Sequence, residues 1–279
     1  MHIEKNIVFK RADKKSMLVD VFYKAEKSQQ AVVVFCHGYK GFKDWGAWNI
    51  MAKAFAGAGF CFVKFNFSHN GGTIDQPIDF PDLEAFGQNN YTKELDDLGD
   101  ILDWIEHRFK DNHNIDASKI YLMGHSRGGG ISILKTAEDK RISKLVTLAS
   151  VCDFAKRTAT IGDHDQWKQD GVKYILNGRT KQQMPHYYQF YEDFMANKER
   201  LNIEHAVRQI EVPLLIIHGD VDTSVKIDEA YSLKQWNPHG ELMVIPNANH
   251  VFNTKHPWED DQLSKELEYI TNQVISFLK

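Results

Sequence analysis

Cysteine is scarce in this chain: 279 residues contain only Cys36, Cys61 and Cys152. Three is an odd number, and each residue lies in or beside an apolar run. They read as reduced core residues of a cytoplasmic protein rather than a disulfide framework. None stands on a turn that would expose it as a nucleophile. A charge of one sign is also missing. Thirty-four Lys and Arg face 38 Asp and Glu, for a net charge of −4, with no long basic or acidic run. Nucleic acid and anionic membranes are therefore not expected partners. No apolar stretch approaches the length of a membrane span, and Met1–Asn6 lacks the charged-then-apolar pattern of a signal peptide. The thirteen histidines show no paired helical spacing of metal-ligand type, and the glycines at 57–59 and 128–130 form no dinucleotide fingerprint. No metal and no cofactor are expected. Internal repeats and low-complexity linkers are absent as well.

What the chain does have is apolar content, 42% hydrophobic and 12% aromatic, enough for one large α/β domain with an insertion. Segments 6–9 and 17–23 read as an edge hairpin. Segments 31–36, 60–67, 119–123, 144–149, 214–218 and 242–245 read as further strands, giving about eight. Helical patterns fill the gaps. Trp48–Ala58 is stopped by Gly59, and Tyr91–Phe109 places Leu95, Leu98, Leu102, Ile105 and Phe109 on one face. A last helix is predicted over Asp260–Leu278. Residues 153–205 separate two predicted strands by far more than an ordinary loop. They carry helical patterns over Gln166–Leu176 and Tyr187–Asn197 and many aromatics, among them Trp167, Tyr187 and Phe190.

The chemistry-bearing feature is Gly124-His125-Ser126-Arg127-Gly128. An apolar strand precedes it and a helical, glycine-rich segment follows. A serine on so sharp a strand-to-helix turn is lifted out of the sheet with its hydroxyl exposed. Glycine is needed on both sides because side chains there would meet neighbouring strands. A serine hydroxyl needs a base to become nucleophilic, and the base needs an orienting carboxylate. Downstream, Val212–His218 reads as a strand running into Gly219-Asp220-Val221-Asp222, and Glu241–Pro246 reads as a strand running into Asn247–His250. An acid and a histidine thus follow the carboxyl ends of two strands, where open α/β sheets place their ligands. Asp222 is preferred as the acid and His250 as the base. Asp220 follows Gly219 directly and is expected to shape the turn. Two backbone N–H donors for a developing oxyanion are assigned to Tyr39, in the turn His37-Gly38-Tyr39-Lys40-Gly41, and to Arg127. His37 reads as a residue that orders this turn.

With these motifs in this order, the chain resembles the α/β-hydrolase superfamily. It is most similar to small serine esterases related to cinnamoyl and feruloyl esterases and to dienelactone-hydrolase-like proteins. The resemblance rests on His37–Trp45, Gly124–Gly128, His218–Val225 and Asn249–Phe252. In Asn66–Gly72 the chain keeps a glycine-rich turn but not the polar groups many relatives carry there. The resemblance implies an α/β-hydrolase fold, with a mostly parallel sheet of about eight strands. Residues 1–152 and 206–279 would form the core, and 153–205 a helical cap over the site. The implied activity is cleavage of small or aryl-acyl carboxylic esters through an acyl-enzyme. His125, His69, Trp167, Tyr187 and Phe190 are candidate substrate contacts, set against the plainer expectation that most cap aromatics glue the insertion to the core. The same groups would serve a thioesterase, or an acylpeptide- or aminopeptidase-like hydrolase holding a substrate ammonium with cap acids such as Glu192 or Asp193. A non-catalytic binding protein on this scaffold is the remaining alternative.

Overall fold

The computed structural model describes residues 1–279. Ten strands and ten helices follow one another along the chain. Strands β1 (His2–Arg11), β2 (Lys14–Tyr23) and β3 (Gln30–Cys36) come first, then α1 (Trp48–Ala58) and β4 (Cys61–Phe65). Helices α2 (Leu83–Gly87) and α3 (Tyr91–Phe109) lead to β5 (Ile115–His125), α4 (Arg127–Glu138) and β6 (Ile142–Leu148). Next are α5 (Phe154–Ala159), α6 (His164–Asp170), β7 (Val172–Leu176), β8 (Gln183–Tyr187), α7 (Gln189–Ala196) and α8 (Ile203–Gln209). The chain closes with β9 (Leu214–Gly219), α9 (Asp228–Trp236), β10 (Glu241–Ile245) and α10 (Lys265–Leu278).

Eight strands form one sheet in the order β1-β2-β4-β3-β5-β6-β9-β10. β1 and β2 pair antiparallel, as does β2 with β4, and the remaining pairs are parallel. The central strands are buried on both faces, which is why they read as continuous apolar runs. Alternate residues serve opposite sides. Val32, Val34 and Cys36 of β3 join the core under α3 and α4, while Val33 and Phe35 join the core under α1 and α10. The strand order reverses between β3 and β5, and Cys36 lies opposite Gly124 in register. The loops after these two strands therefore leave the sheet side by side, at the switch point where such sheets bind ligands.

The helix over Tyr91–Phe109 forms as expected, with Asn90 accepting from Lys93 N at its start, a cap worth about 1 kcal/mol. Gly59 ends α1 in a left-handed conformation with φ 95°. Other expectations need correction. The helical pattern over Gln166–Leu176 breaks at Gly171, also left-handed at φ 72°. Beyond it, Val172–Leu176 is a strand pairing antiparallel with Gln183–Tyr187 in a separate two-stranded sheet. The alternating Val-Lys-Tyr-Ile side chains suit a pleated ribbon better than a helix. The second expected helix of this segment starts at Gln189, because Tyr187 still belongs to β8. The last helix starts at Lys265 behind the cap residue Ser264. The boundary at 205 falls inside α8, whose Ile203, Ala206 and Val207 are buried in the main core.

The loop after β3 is tied down by charge. Lys43 and Lys64 each pair with both Asp20 and Asp44. Lys43 Nζ lies 2.8 Å from Asp20 and Lys64 Nζ lies 2.6 Å from the same carboxylate. The side chains of Asp20, Lys43 and Lys64 are wholly buried. Lys43 N also donates to Asn66 Oδ1 at 2.6 Å. No helix is long and apolar enough to cross a membrane.

Candidate active site

Ser126 sits between β5 and α4 with φ 57° and ψ −121°. This is a conformation that costs a non-glycine residue about 1–3 kcal/mol and persists only where the surroundings impose it. The turn is held by Ser126 N donating to Leu148 O at 2.9 Å, and by Gly129 N and Val151 N donating to Ser126 O. A Cβ on Gly124 would lie 2.2 Å from Gly128 O, and one on Gly128 would lie 2.4 Å from both Cys36 O and His37 O. Only glycine permits strand and helix to approach so closely. The first turn of α4 directs its positive dipole end at the serine.

Ser126 Oγ lies 3.0 Å from His250 Nε2, and His250 Nδ1 lies 2.7 Å from Asp222 Oδ2. Asp222 is buried, which would raise its pKa. Hydrogen bonds from His218 and His250 and from the Val225 N–H outweigh burial and hold the carboxyl well below the usual range. Asp222 is thus an anion, and an anion at Oδ2 makes Nδ1 the donor. His250 Nε2 is left to accept the serine proton. Asp220 plays a different part, accepting from Asn247 N at 2.6 Å and so pinning the loop after β10. The sequence reading assigned no role to His218. It is fully buried, with Nε2 2.9 Å from Val225 O and 3.3 Å from Asp222 Oδ2, and it makes the acid loop rigid. Its position at the end of a strand, two residues before an acid loop, was the available signal.

Two clefts open on Ser126 and His250. The larger, about 360 Å³, has apolar walls that include Tyr91, Phe154, Ile161, Ile175 and Val225. The smaller, about 230 Å³, is walled by Trp45, Trp48, His125, Asn177, Arg179 and Val251. Tyr39 and Lys40 border both. Tyr39 Oη donates to His186 Nε2 at 2.9 Å, because the other ring nitrogen of His186 faces Met184 O. Burial, reinforced by Arg127, lowers the His186 pKa to about 3. Arg127 is half-buried, pairs with Glu94 at 3.2 Å and stacks on the Tyr39 ring at 4.3 Å.

His125 lines the smaller cleft, and its Nε2 donates to His250 O at 2.8 Å, steadying the histidine loop. Burial lowers its pKa to about 3, so the ring is neutral. The other four candidate contacts lie outside both clefts. His69 bonds Ser68 Oγ at 2.7 Å within the Asn66–Gly72 turn. Trp167 is fully buried and donates to His186 O at 2.8 Å. Tyr187 bonds Glu84 and packs on Gly87. Phe190 is buried against Tyr91 and His186. These aromatics attach the 153–205 segment to the core. The segment instead lines the larger cleft with Phe154, Arg157, Thr160, Ile161, Ile175 and His186, and the smaller with Asn177 and Arg179. Aromatic content was the wrong signal, since large rings are the side chains most useful for attachment. His37 donates to Gly38 O at 3.0 Å and accepts from Phe67 N at 3.3 Å, ordering its turn.

A model of the prolyl oligopeptidase family, peptidase family S9, matches residues 55–276. An uncharacterized peptidase of Bacillus subtilis (strain 168), YuxL, is 28% identical over 181 residues. That match covers 63% of this chain and spans only 25% of the length of YuxL. Est1E from Butyrivibrio proteoclasticus superposes with a TM-score of 0.71 at 16% identity, covering 99% of this chain and 98% of its own, and has also been solved with ferulic acid bound. A dienelactone hydrolase from Anabaena variabilis ATCC 29413 superposes with a TM-score of 0.63 at 14% identity, covering 99% and 96% of the two chains. The architecture is the α/β-hydrolase fold.

Proposed function

We propose, for a chain that belongs to the prolyl oligopeptidase family of serine hydrolases, that it cleaves carboxylic esters of small or aryl acyl groups through an acyl-enzyme. One observation carries the reading: an unbroken hydrogen-bond chain from Asp222 through His250 to Ser126 Oγ, open to a cleft with apolar walls. His250 takes the Ser126 proton as Oγ attacks the ester carbonyl. Asp222 keeps His250 in the tautomer that accepts at Nε2 and stabilises the imidazolium. The N–H groups of Tyr39 and Arg127 receive the oxyanion. Two features support that assignment. Tyr39 N–H has no acceptor within the chain, and the preceding residue, Gly38, lies so close that a Cβ there would be 2.8 Å from Ser126 Cβ. The proton on His250 then passes to the leaving alcohol, and the same nitrogen activates the water that releases the acid.

The apolar walls around Tyr91, Phe154 and Ile175 suit an aryl or short acyl chain. Est1E, with ferulic acid bound, supports the aryl-acyl preference. Six of the wall residues of the larger cleft come from the 153–205 segment, which supports its reading as a cap. The free, buried cysteines support a reducing, cytoplasmic compartment. An aminopeptidase needs a carboxylate for the substrate ammonium. Neither cleft is lined by one, and Asp193 instead accepts from Thr92 at 2.8 Å. The test is kcat/KM on matched aryl ester, thioester and aminoacyl-amide substrates, with fluorophosphonate labelling of Ser126. We expect labelling and an ester preference. An unlabelled serine, or an amide hydrolysed faster than its ester, refutes the reading.

A further inference from the structure

The clefts at Ser126 are lined by four cations and no carboxylate: Lys40, Arg127 and Arg157 in the larger, Lys40 and Arg179 in the smaller. Three of these cations are neutralised inside the protein. Arg127 pairs with Glu94, Arg157 with Glu229, and Arg179 with Asp79. Lys40 has no carboxylate partner and no hydrogen bond to any protein acceptor. Its Nζ rests 4.9 Å above the Tyr39 ring. Burial, with Arg127 nearby, lowers its pKa. The Lys40 backbone is left-handed, φ 54°, in the same turn whose Tyr39 N–H faces the serine in the proposed mechanism. A cation half-withdrawn from water without a partner is costly, and an incoming anion removes that cost.

We infer that the substrate is an ester bearing a second, anionic carboxylate, which docks on Lys40. The inference rests on the hydrolase reading of Ser126. A single uncompensated charge matches a carboxylate better than a phosphate monoester, which carries about −1.5 to −2 at neutral pH. Because Lys40 borders both clefts, the carboxylate can belong to the acyl part or to the leaving group, and the same cation serves either. A positively charged substrate is disfavoured by the same field.

The experiment compares two matched pairs by kcat/KM. Monomethyl terephthalate against methyl 4-methylbenzoate tests a carboxylate on the acyl side. 4-Acetoxybenzoate against 4-methylphenyl acetate tests one on the leaving group. The wild type should favour the anionic member of at least one pair by about tenfold or more. Lys40→Met should collapse that ratio by about the same factor, and Lys40→Arg should retain it within about threefold. A binding readout independent of turnover uses calorimetry of terephthalate with the Ser126→Ala protein. The affinity should drop about tenfold or more when Lys40→Met is added. A wild-type ratio near one in both pairs, or a ratio that survives Lys40→Met, overturns the inference and leaves the hydrolase reading standing. If no ester is hydrolysed and Ser126 is unlabelled, the hydrolase reading fails. Calorimetry then decides the anion site separately: Lys40-dependent terephthalate binding upholds it, and its absence overturns it.

Discussion

The Asp20–Lys43–Lys64–Asp44 cluster and the Asp222–His250–Ser126 chain are both built from polar side chains withdrawn from water, yet they are finished in opposite ways. In the first, buried Lys43 and Lys64 meet Asp20 and Asp44, with Lys5 reaching Asp44 from outside, and every charge has a partner of opposite sign. In the second, one anion is held by two histidines and the chain ends on a hydroxyl at the mouth of two clefts. Closed charge fixes geometry, here the loop carrying Tyr39. Open polarity leaves one group free to exchange a proton with a ligand. The lesson is that burial of charge does not by itself mark a reactive site. What marks it is a hydrogen-bond chain whose last member has no partner in the protein beyond the chain.

This contrast can be broken most sharply at its open end. If the proposed mechanism holds, Ser126→Ala should lower ester turnover by a factor on the order of 10⁴ to 10⁶, because a nucleophile, base and acid so linked act as a unit, while the urea-unfolding midpoint stays at the wild-type value. Near-normal turnover would remove the serine from the chemistry. Asp222→Asn should cost on the order of 10³ or more in kcat by favouring the wrong His250 tautomer. Asp220→Asn, which touches only the Asn247 turn, should cost far less. The reverse ranking, read from steady-state kinetics, would make Asp220 the orienting acid.

The closed end should respond in stability instead. Lys64→Met leaves the buried Asp20 carboxylate with Lys43 as its only ion-pair partner, and breaking a buried pair costs about 3–5 kcal/mol. Urea titration measures that loss, and fluorophosphonate labelling of the folded fraction should persist. A Lys64→Met protein as stable as wild type would show that charge closure contributes nothing to the fold. The smallest effect concerns pH. Burial lowers the pKa of His37 to about 4 and those of His125 and His186 to about 3. Unfolding returns them to about 6.5, so between the two values the unfolded chain binds more protons. Stability is therefore complete above about 6.5 and declines as pH falls toward 4. His186→Gln should flatten that decline in denaturant titrations at pH 7, 6 and 5, and an unaltered slope would exclude a contribution from this ring.

The turn around Ser126 was legible because its causes are local. A buried strand, two close-approach glycines and a helix start lie within a dozen residues. The order of Asp222 and His250 after two strand ends was legible for the same reason. The β7–β8 ribbon was not, because Tyr174 faces Pro185 across the pair, and such partners cannot be read from either segment alone. Nor was the burial of Lys64, which stands in an apolar run but owes its tolerance to Asp20 on the neighbouring strand β2 and to Asp44 in a distant loop.

Chain composition and local pattern determined the sheet, the serine turn and the placing of Asp222 and His250 just past two strand ends, since each depends on neighbours a few residues away. Only the tertiary structure decided the sign of the cleft. Arg127, Arg157 and Arg179 find their carboxylates 33, 72 and 100 residues away, and Lys40 finds none. Which cation stays uncompensated is a property of long-range pairing, and pairing is settled when the chain folds.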